Sequence, residues 1–318
     1  MKKLLTVVVP VYKVEPYINK CLDSLILEDE ELMNQLEVII VNDGTPDRSA
    51  EMSREYVKRY PQTFRQIDKE NGGHGSAWNV GLKEATGKYL RFLDSDDWLT
   101  NLDRLMKKLS SIDVDVVVTE MSTYDEHNGA VATITLSKSY DKVMDISAPD
   151  FWGNMSNFWC STYKTALLQP LYPLFLEGVS YDDSILYIVP HLCANNFVAY
   201  DFVVYNYLVG REGQSMNIAT QIRKIPDKFK NYHYLQDFAL RTSGQIDDYI
   251  REVLEHERSA LFNIVSFVPD YQVSVKYMKE LLSLGSLDHI DSKKYRRYKC
   301  LPYRVFHYLE QLKSKKSK

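Results

Sequence analysis

Residues 36–60 read LEVIIVNDGTPDRSAEMSREYVKRY, and the order of chemistry along them sets the architecture. A run rich in branched apolar residues, LEVIIVN, suits a strand covered on both faces. The polar cluster NDGTPDRS (42–49) then turns the chain, and Ala50–Tyr60 carries helical spacing. The same succession recurs through the first 120 residues. LLTVVVPV (4–11) precedes Tyr17–Leu27, where Ile18, Cys21, Leu22 and Leu25 share a helical face. FRQID (64–68) precedes a helix over Gly75–Ala85, KYLRFLD (88–94) precedes one over Leu99–Leu109, and VDVVVTE (114–120) is a further strand. Such alternation predicts an α/β chain with a mostly parallel sheet flanked by helices. Ligands in that class bind at the carboxyl ends of the strands.

Farther on, Met121 to about Pro149 alternates polar and β-branched residues, as in GAVATITLSKSY, which predicts a hairpin excursion. A helix from near Tyr181 and a strand at FVAYDFVVYNYLV (197–209) close a first domain, 1–210. The remainder, 211–318, reads as helices at Gln221–Leu240, Asp247–Val268, Ser274–Leu284 and Lys293–Leu312, broken by Gly244, Pro269 and Gly285.

The 318 residues are 45% apolar and 26% charged, an ordinary globular balance. The opening MKKLLTVVVPVYKVEP resembles a secretory leader, but Pro10 interrupts it and no small-residue cleavage site follows, so it is read as a buried strand. No run approaches membrane-spanning length. Cys21, Cys160, Cys193 and Cys300 lie far apart with no CxxC pair, which argues against structural zinc and a disulfide scaffold and fits a reducing cytoplasm. Charge is uneven. Residues 293–318 hold ten Lys/Arg against Glu310, a local +9, leaving −13 on the rest.

Three strand ends finish in polar clusters: PVYKVE (10–15), NDGTPDRS (42–49) and DSDD (94–97). In the second, Asp47 or Ser49 suits a helix cap, while Asp43 at the strand's end suits a base N–H or ribose hydroxyls. The loop NGGHGSAWN (71–79) lets a backbone approach a ligand closely and opens a helix whose N–H groups suit phosphate. In DSDDW, Asp97 suits an N-cap; a cap needs one carboxylate, not three. Asp94 and Asp96 flank Ser95, point the same way in an extended segment and suit a shared hard cation. Taken alone, the cluster serves a cap and a cation site equally well.

Together, VVVPVYKVEPYINKCLDSL (7–25), VIIVNDGTPDRS (38–49) and NGGHGSAWNVGLKEATGKYLRFLDSDDW (71–98) resemble the successive signatures of the inverting family 2 glycosyltransferases, which have the GT-A fold. The resemblance is dense from about residue 4 to 100 and looser to 210. It implies that Pro10, Val11, Tyr12 and Asp43 hold the nucleotide base; from their place in the glycine loop, Gly73 and His74 are read as touching phosphate or donor sugar. It puts Asp94, with Ser95, beside the ribose and metal, and Asp96 on a Mn²⁺ or Mg²⁺ ion bridging the diphosphate, in the manner of a DxD motif. In EGVSYDDSILYIVPHL (177–192), Asp182 and Asp183 stand where the family has a Glu-Asp pair, so Asp183 is the implied general base. Lys13 stands where the family often has Asn, and Trp78 where it frequently has Arg, leaving the exact donor open. His191 reads as packed on a helix face, and Arg211 and Ser215 as diphosphate partners.

The implied activity is transfer of a hexosyl or N-acetylhexosaminyl group from a nucleotide-sugar donor, best a UDP-sugar, to a hydroxyl of a glycan or lipid-linked acceptor in cell-surface polysaccharide synthesis. Single displacement inverts the anomeric carbon. It needs a base on the acceptor and a cation against the departing diphosphate. The basic tail reads either as a packed terminal helix or as peripheral contact with an anionic membrane face. Nothing reads nucleic acid. Two rivals differ in what they require. A sugar-nucleotide pyrophosphorylase needs a Gly-rich, Arg-containing first loop, whereas PVYKVEP has no glycine; a non-catalytic nucleotide-sugar-binding module would be expected to lack the metal or base carboxylates, whereas Asp94, Asp96 and Asp183 are all present.

Overall fold

The computed structural model describes residues 2–135, 139–147, 158–211, 217–290 and 292–316. It forms two compact units, Met1–Arg211 and Glu212–Lys318.

The first unit is built on one sheet. Strands β1 (Leu5–Val11), β2 (Leu36–Asp43), β3 (Phe64–Lys69) and β4 (Tyr89–Phe92) are followed by β5 (Trp98–Leu99), β6 (Val116–Asp125), β7 (Val131–Ile134), β8 (Val143–Asp145), β9 (Ser161–Lys164) and β10 (Asn196–Val209). Every residue of β1 and β2 is buried, as their two-faced apolar pattern demands. The main path runs β3-β2-β1-β4-β9-β6-β10-β5, with β7 on β6 and β8 on β10. From β3 to β4 the pairing is parallel, with Leu5 opposite Leu36 and Tyr89. Helices α1 (Ile18–Asp23), α2 (Glu30–Gln35), α3 (Ser49–Arg59), α4 (His74–Glu84) and α5 (Leu102–Ser110) connect the early strands.

Beyond β4 the sheet is mixed. Strand β9 lies antiparallel between β4 and β6, and β10 runs parallel to β6 but antiparallel to β5 and β8. The α/β class expected from sequence holds, with its parallel part confined to the first half and to β6–β10. The short β9 carries no period that a sequence reading can detect. The helix expected from Leu99 starts instead at Leu102, because Trp98 and Leu99 are taken up by pairing with Tyr205 and Asn206. The expected hairpin after β6 is present as β7, whereas 136–138 and 148–149 of that excursion lie outside the described residues.

Helix α4 packs closely on the sheet because Gly81 has no side chain. A Cβ there would lie 2.1 Å from Val8 Cγ1 and 2.7 Å from Cγ2, on a stiff residue in a fully buried strand. Gly81→Ala is expected to destabilise the protein by about 1–3 kcal/mol, read from the denaturant midpoint. A wild-type midpoint would refute that close approach.

After helices α6 (Thr165–Leu168) and α7 (Val189–Cys193) of the first unit, the second consists of α8 (Ile218–Arg223), α9 (Ile225–Ser243), α10 (Asp248–Val265), α11 (Tyr271–Ser283), α12 (Lys293–Cys300) and α13 (Tyr303–Lys316). Phe229, Leu261, Phe262, Val265, Leu281 and Phe306 centre its core. The helix expected over Lys293–Leu312 is broken at Leu301–Pro302, where proline lacks the N–H that continuation requires. Tyr295 and Phe306 of the basic segment are buried in that core, and the buried Glu310 gathers Lys294, Arg297 and Lys313 at 3.9, 2.9 and 3.0 Å. Among the described residues, no helix is long and apolar enough to cross a membrane.

Candidate active site

The polar clusters meet at the carboxyl ends of β1, β2 and β4, with the end of β10 beside them. At β2, the buried Asp43 carboxylate accepts from Gly72 N and Gly73 N, both at 2.8 Å, and from Lys69 Nζ at 2.7 Å. Gly73 takes φ +87°, a conformation glycine allows, and presents its N–H to Asp43 rather than to a ligand. Asp43 Oδ2 retains acceptor capacity for a further donor. Pro10 and Val11 are buried in β1, leaving Tyr12 and Lys13 exposed at its end. Lys13 has φ 56° and donates its N–H to Thr45 Oγ1 at 2.8 Å, joining the first two clusters.

At β4, Asp94 Oδ1 lies 3.0 Å from His74 Nε2, and its Oδ2 accepts from Trp159 Nε1 at 3.3 Å. Asp96 Oδ2 pairs with the Arg211 guanidinium, which also lies over the Tyr17 ring. Burial and the Asp94 charge push the Asp96 carboxyl up, with Arg211 opposing. Ser95 is buried between them. Asp97 does not cap a helix. It is buried, and its oxygens accept from Tyr205 Oη at 2.6 Å and Leu208 N at 2.7 Å on β10. The local cap signature is overridden because the chain turns back at Asp97, whose N–H reaches the Asp94 carbonyl, and α5 starts five residues later.

A second acidic pair approaches from the opposite side of His74. Asp182 and Asp183 open the 3₁₀ turn Asp182–Tyr187, and Asp182 is buried with both oxygens 3.2 Å from His74 Nδ1. His74 therefore bridges Asp94 and Asp182. Burial disfavours its charge, but the two carboxylates outweigh that and hold its pKa well above the usual imidazole range. Asp183 is half-buried; desolvation and the adjoining Asp182 push its carboxyl up to about 7.

Trp78 lies wholly in the core, its ring 4.0 Å from that of His74 and 4.7 Å from that of Phe92, so its indole supports the imidazole from beneath. His191 is half-buried on α7. Ser215 lies outside the described residues. Sequence reasoning passed over Trp159 and Tyr205, which contact Asp94 and Asp97 across 65 and 108 residues of chain. No local motif could have announced them.

Asp94 and Asp96 supply hard carboxylate oxygens suited to Mg²⁺ or Mn²⁺. Among the described residues no three His, Cys, Asp or Glu side chains converge as a metal cage. A cation on these two carboxylates would need the rest of its shell from a ligand's oxygens.

A sheet whose strand ends gather acids, a glycine loop and a helix start defines an α/β fold with its candidate site at the carboxyl ends of the strands. A family profile described as Glycosyl transferase family 2 matches residues 6–165, and the chain belongs to that family. EpsJ of Bacillus subtilis (strain 168), an uncharacterized glycosyltransferase, is 41% identical over 119 residues, 37% of this chain and 33% of EpsJ. TarS of Staphylococcus aureus, a poly(ribitol-phosphate) beta-N-acetylglucosaminyltransferase, is 28% identical over 218 residues, 67% of this chain and 37% of TarS. The match thus spans about a third of the length of either relative. The solved structure of S. aureus TarS 1-349 in complex with UDP-GlcNAc superposes with a TM-score of 0.69 at 20% identity, covering 97% of this chain and 89% of that one. The fold is GT-A.

Proposed function

We propose that Met1–Arg211 is a catalytic domain that moves a hexosyl or N-acetylhexosaminyl group from a UDP-sugar to a hydroxyl of a glycan or lipid-linked acceptor, with inversion. The observation that carries this reading is the bridge of His74 between Asp94 and Asp182, because it sets a candidate donor-side acid and a candidate acceptor-side acid on one imidazole. The TarS structure with UDP-GlcNAc supports a UDP-sugar as donor.

Asp183 takes the acceptor's proton. With its carboxyl raised to about 7, it is a stronger base than an ordinary aspartate, near 3.9, yet is half ionised at neutral pH. Asp182 holds His74, whose positive charge faces the donor side. Asp43 fixes the glycine loop and keeps an acceptor for the base or ribose, while Tyr12 offers an exposed ring to the base. Asp94 and Asp96 would hold Mg²⁺ or Mn²⁺ together with the diphosphate, and the ion supplies positive charge against the leaving group. Arg211, now paired with Asp96, would be released toward the same phosphates once a cation takes its place on that carboxylate.

Titrating the protein with UDP by calorimetry, with and without Mn²⁺, tests the reading. Binding is expected to need Mn²⁺ and to be lost in Asp96→Ala. Absence of UDP, GDP and dTDP binding under both conditions would overturn it.

A further inference from the structure

Arg91 lies in β4 with no exposed surface. Among the described residues it forms no ion pair, and its Nε has no hydrogen-bond partner. Burial lowers its pKa to about 10, so it keeps its charge at neutral pH. A buried charge with no carboxylate beside it is costly to keep, and its few partners indicate what that cost supports. One guanidinium nitrogen donates to Thr162 Oγ1 at 2.8 Å, the other to the Trp159 carbonyl, and the group stands 5.9 Å from the centre of the Tyr205 ring.

Among the described residues, Trp159 and Tyr205 both reach the acidic cluster from Arg91's side of it in the chain of contacts. Trp159 donates its indole N–H to Asp94 Oδ2 at 3.3 Å. Tyr205 donates to Asp97 Oδ2 at 2.6 Å and accepts the Asp94 N–H at 3.3 Å. Trp159 sits in a single turn, Phe158–Cys160, that has little regular structure of its own to fix it. A charge-assisted hydrogen bond to its carbonyl supplies that anchor. We propose that Arg91 is a positioning residue for Asp94 and Asp97, aiming both carboxylates through Trp159 and Tyr205. The inference rests on the reading of Asp94 and Asp96 as a cation and donor site.

The test uses Arg91→Met, which removes the donors and keeps an unbranched apolar stem, and Trp159→Phe, which removes the indole N–H together with one of the two fused rings. The Mn²⁺ concentration giving half-maximal UDP binding is expected to rise about 10- to 100-fold in Arg91→Met. Arg91→Lys, with charge but no planar fork, is expected to fall between the two. Independently of any ligand, the Trp159 indole N–H resonance, one of four in the chain and assigned by its loss in Trp159→Phe, is expected to shift in Arg91→Met. A folded Arg91→Met with wild-type Mn²⁺ dependence, or with an unmoved indole resonance, would overturn the proposal. If Arg91→Met fails to fold, unchanged Mn²⁺ dependence in Trp159→Phe overturns it instead. Failure of the wild type to bind UDP, with the resonance still moving, would sink the functional reading and leave the positioning role standing.

Discussion

Asp183→Asn is expected to lower kcat by about 10²- to 10⁴-fold while leaving Mn²⁺-dependent UDP binding unchanged. An amide of the same shape keeps the packing of the turn but cannot accept the acceptor's proton. The wild-type rate should also carry the signature of the raised carboxyl. An acid that must be ionised to act, with a pKa of about 7, gives a rate that climbs as pH rises through neutrality and levels off above it. Below that point the rate should fall about tenfold per pH unit. Asp183→Asn should lose this dependence along with the activity. If Asp183→Asn retains kcat and Asp182→Asn loses it, the base is the buried partner and the role assigned to Asp183 is wrong.

Asp97→Ala is expected to destabilise the protein by about 2–5 kcal/mol. Its two donors, the Tyr205 hydroxyl and the Leu208 N–H, are both buried, and a buried donor left without a partner costs about 1–3 kcal/mol. One term acts in the opposite sense: burial and the charges of Asp96 and Asp94 already push the Asp97 carboxyl well above its ordinary range, so neutralising it relieves repulsion. Asp97→Asn keeps one acceptor oxygen and gains that relief, so it should cost clearly less than Asp97→Ala. A capping role would look different, with the alanine variant losing about 1 kcal/mol. Chemical denaturation of the two variants decides between these roles.

The same residue shows why some of the molecule was legible in the sequence and some was not. Strands β1 and β2 were legible because each is covered on both faces, and an unbroken apolar run has few other uses. The fold class followed from their alternation with helical segments. The four-residue β9 was not legible, since its pairing with β4 and β6 depends on partners 43 or more residues away. Within the site, the separate clusters at Asp43, His74, Asp94–Asp97 and Asp182–Asp183 stood out as local excesses of polar residues. What joins them is long-range: His74 to Asp182 spans 108 residues, and Asp97 to Leu208 spans 111. Asp97 was misread because its neighbours in sequence suggest a helix start, whereas its neighbours in space belong to β10. Gly73 was likewise placed correctly in a loop, but only the structure shows its N–H turned to Asp43.

The guanidinium on Asp96 belongs to Arg211, the final residue of the first unit. A shortened protein cut at that boundary would carry a free terminal carboxylate, with a pKa of about 3.3–3.7, on the very residue that neutralises Asp96. The cut would replace a neutral peptide link with a negative charge beside a cluster already crowded with them. Weak activity in such a fragment would then have two sources, the new chain end and the missing helices. A fragment extended past Arg211 by several residues keeps that link neutral and gives a fair measure of what the first unit does alone.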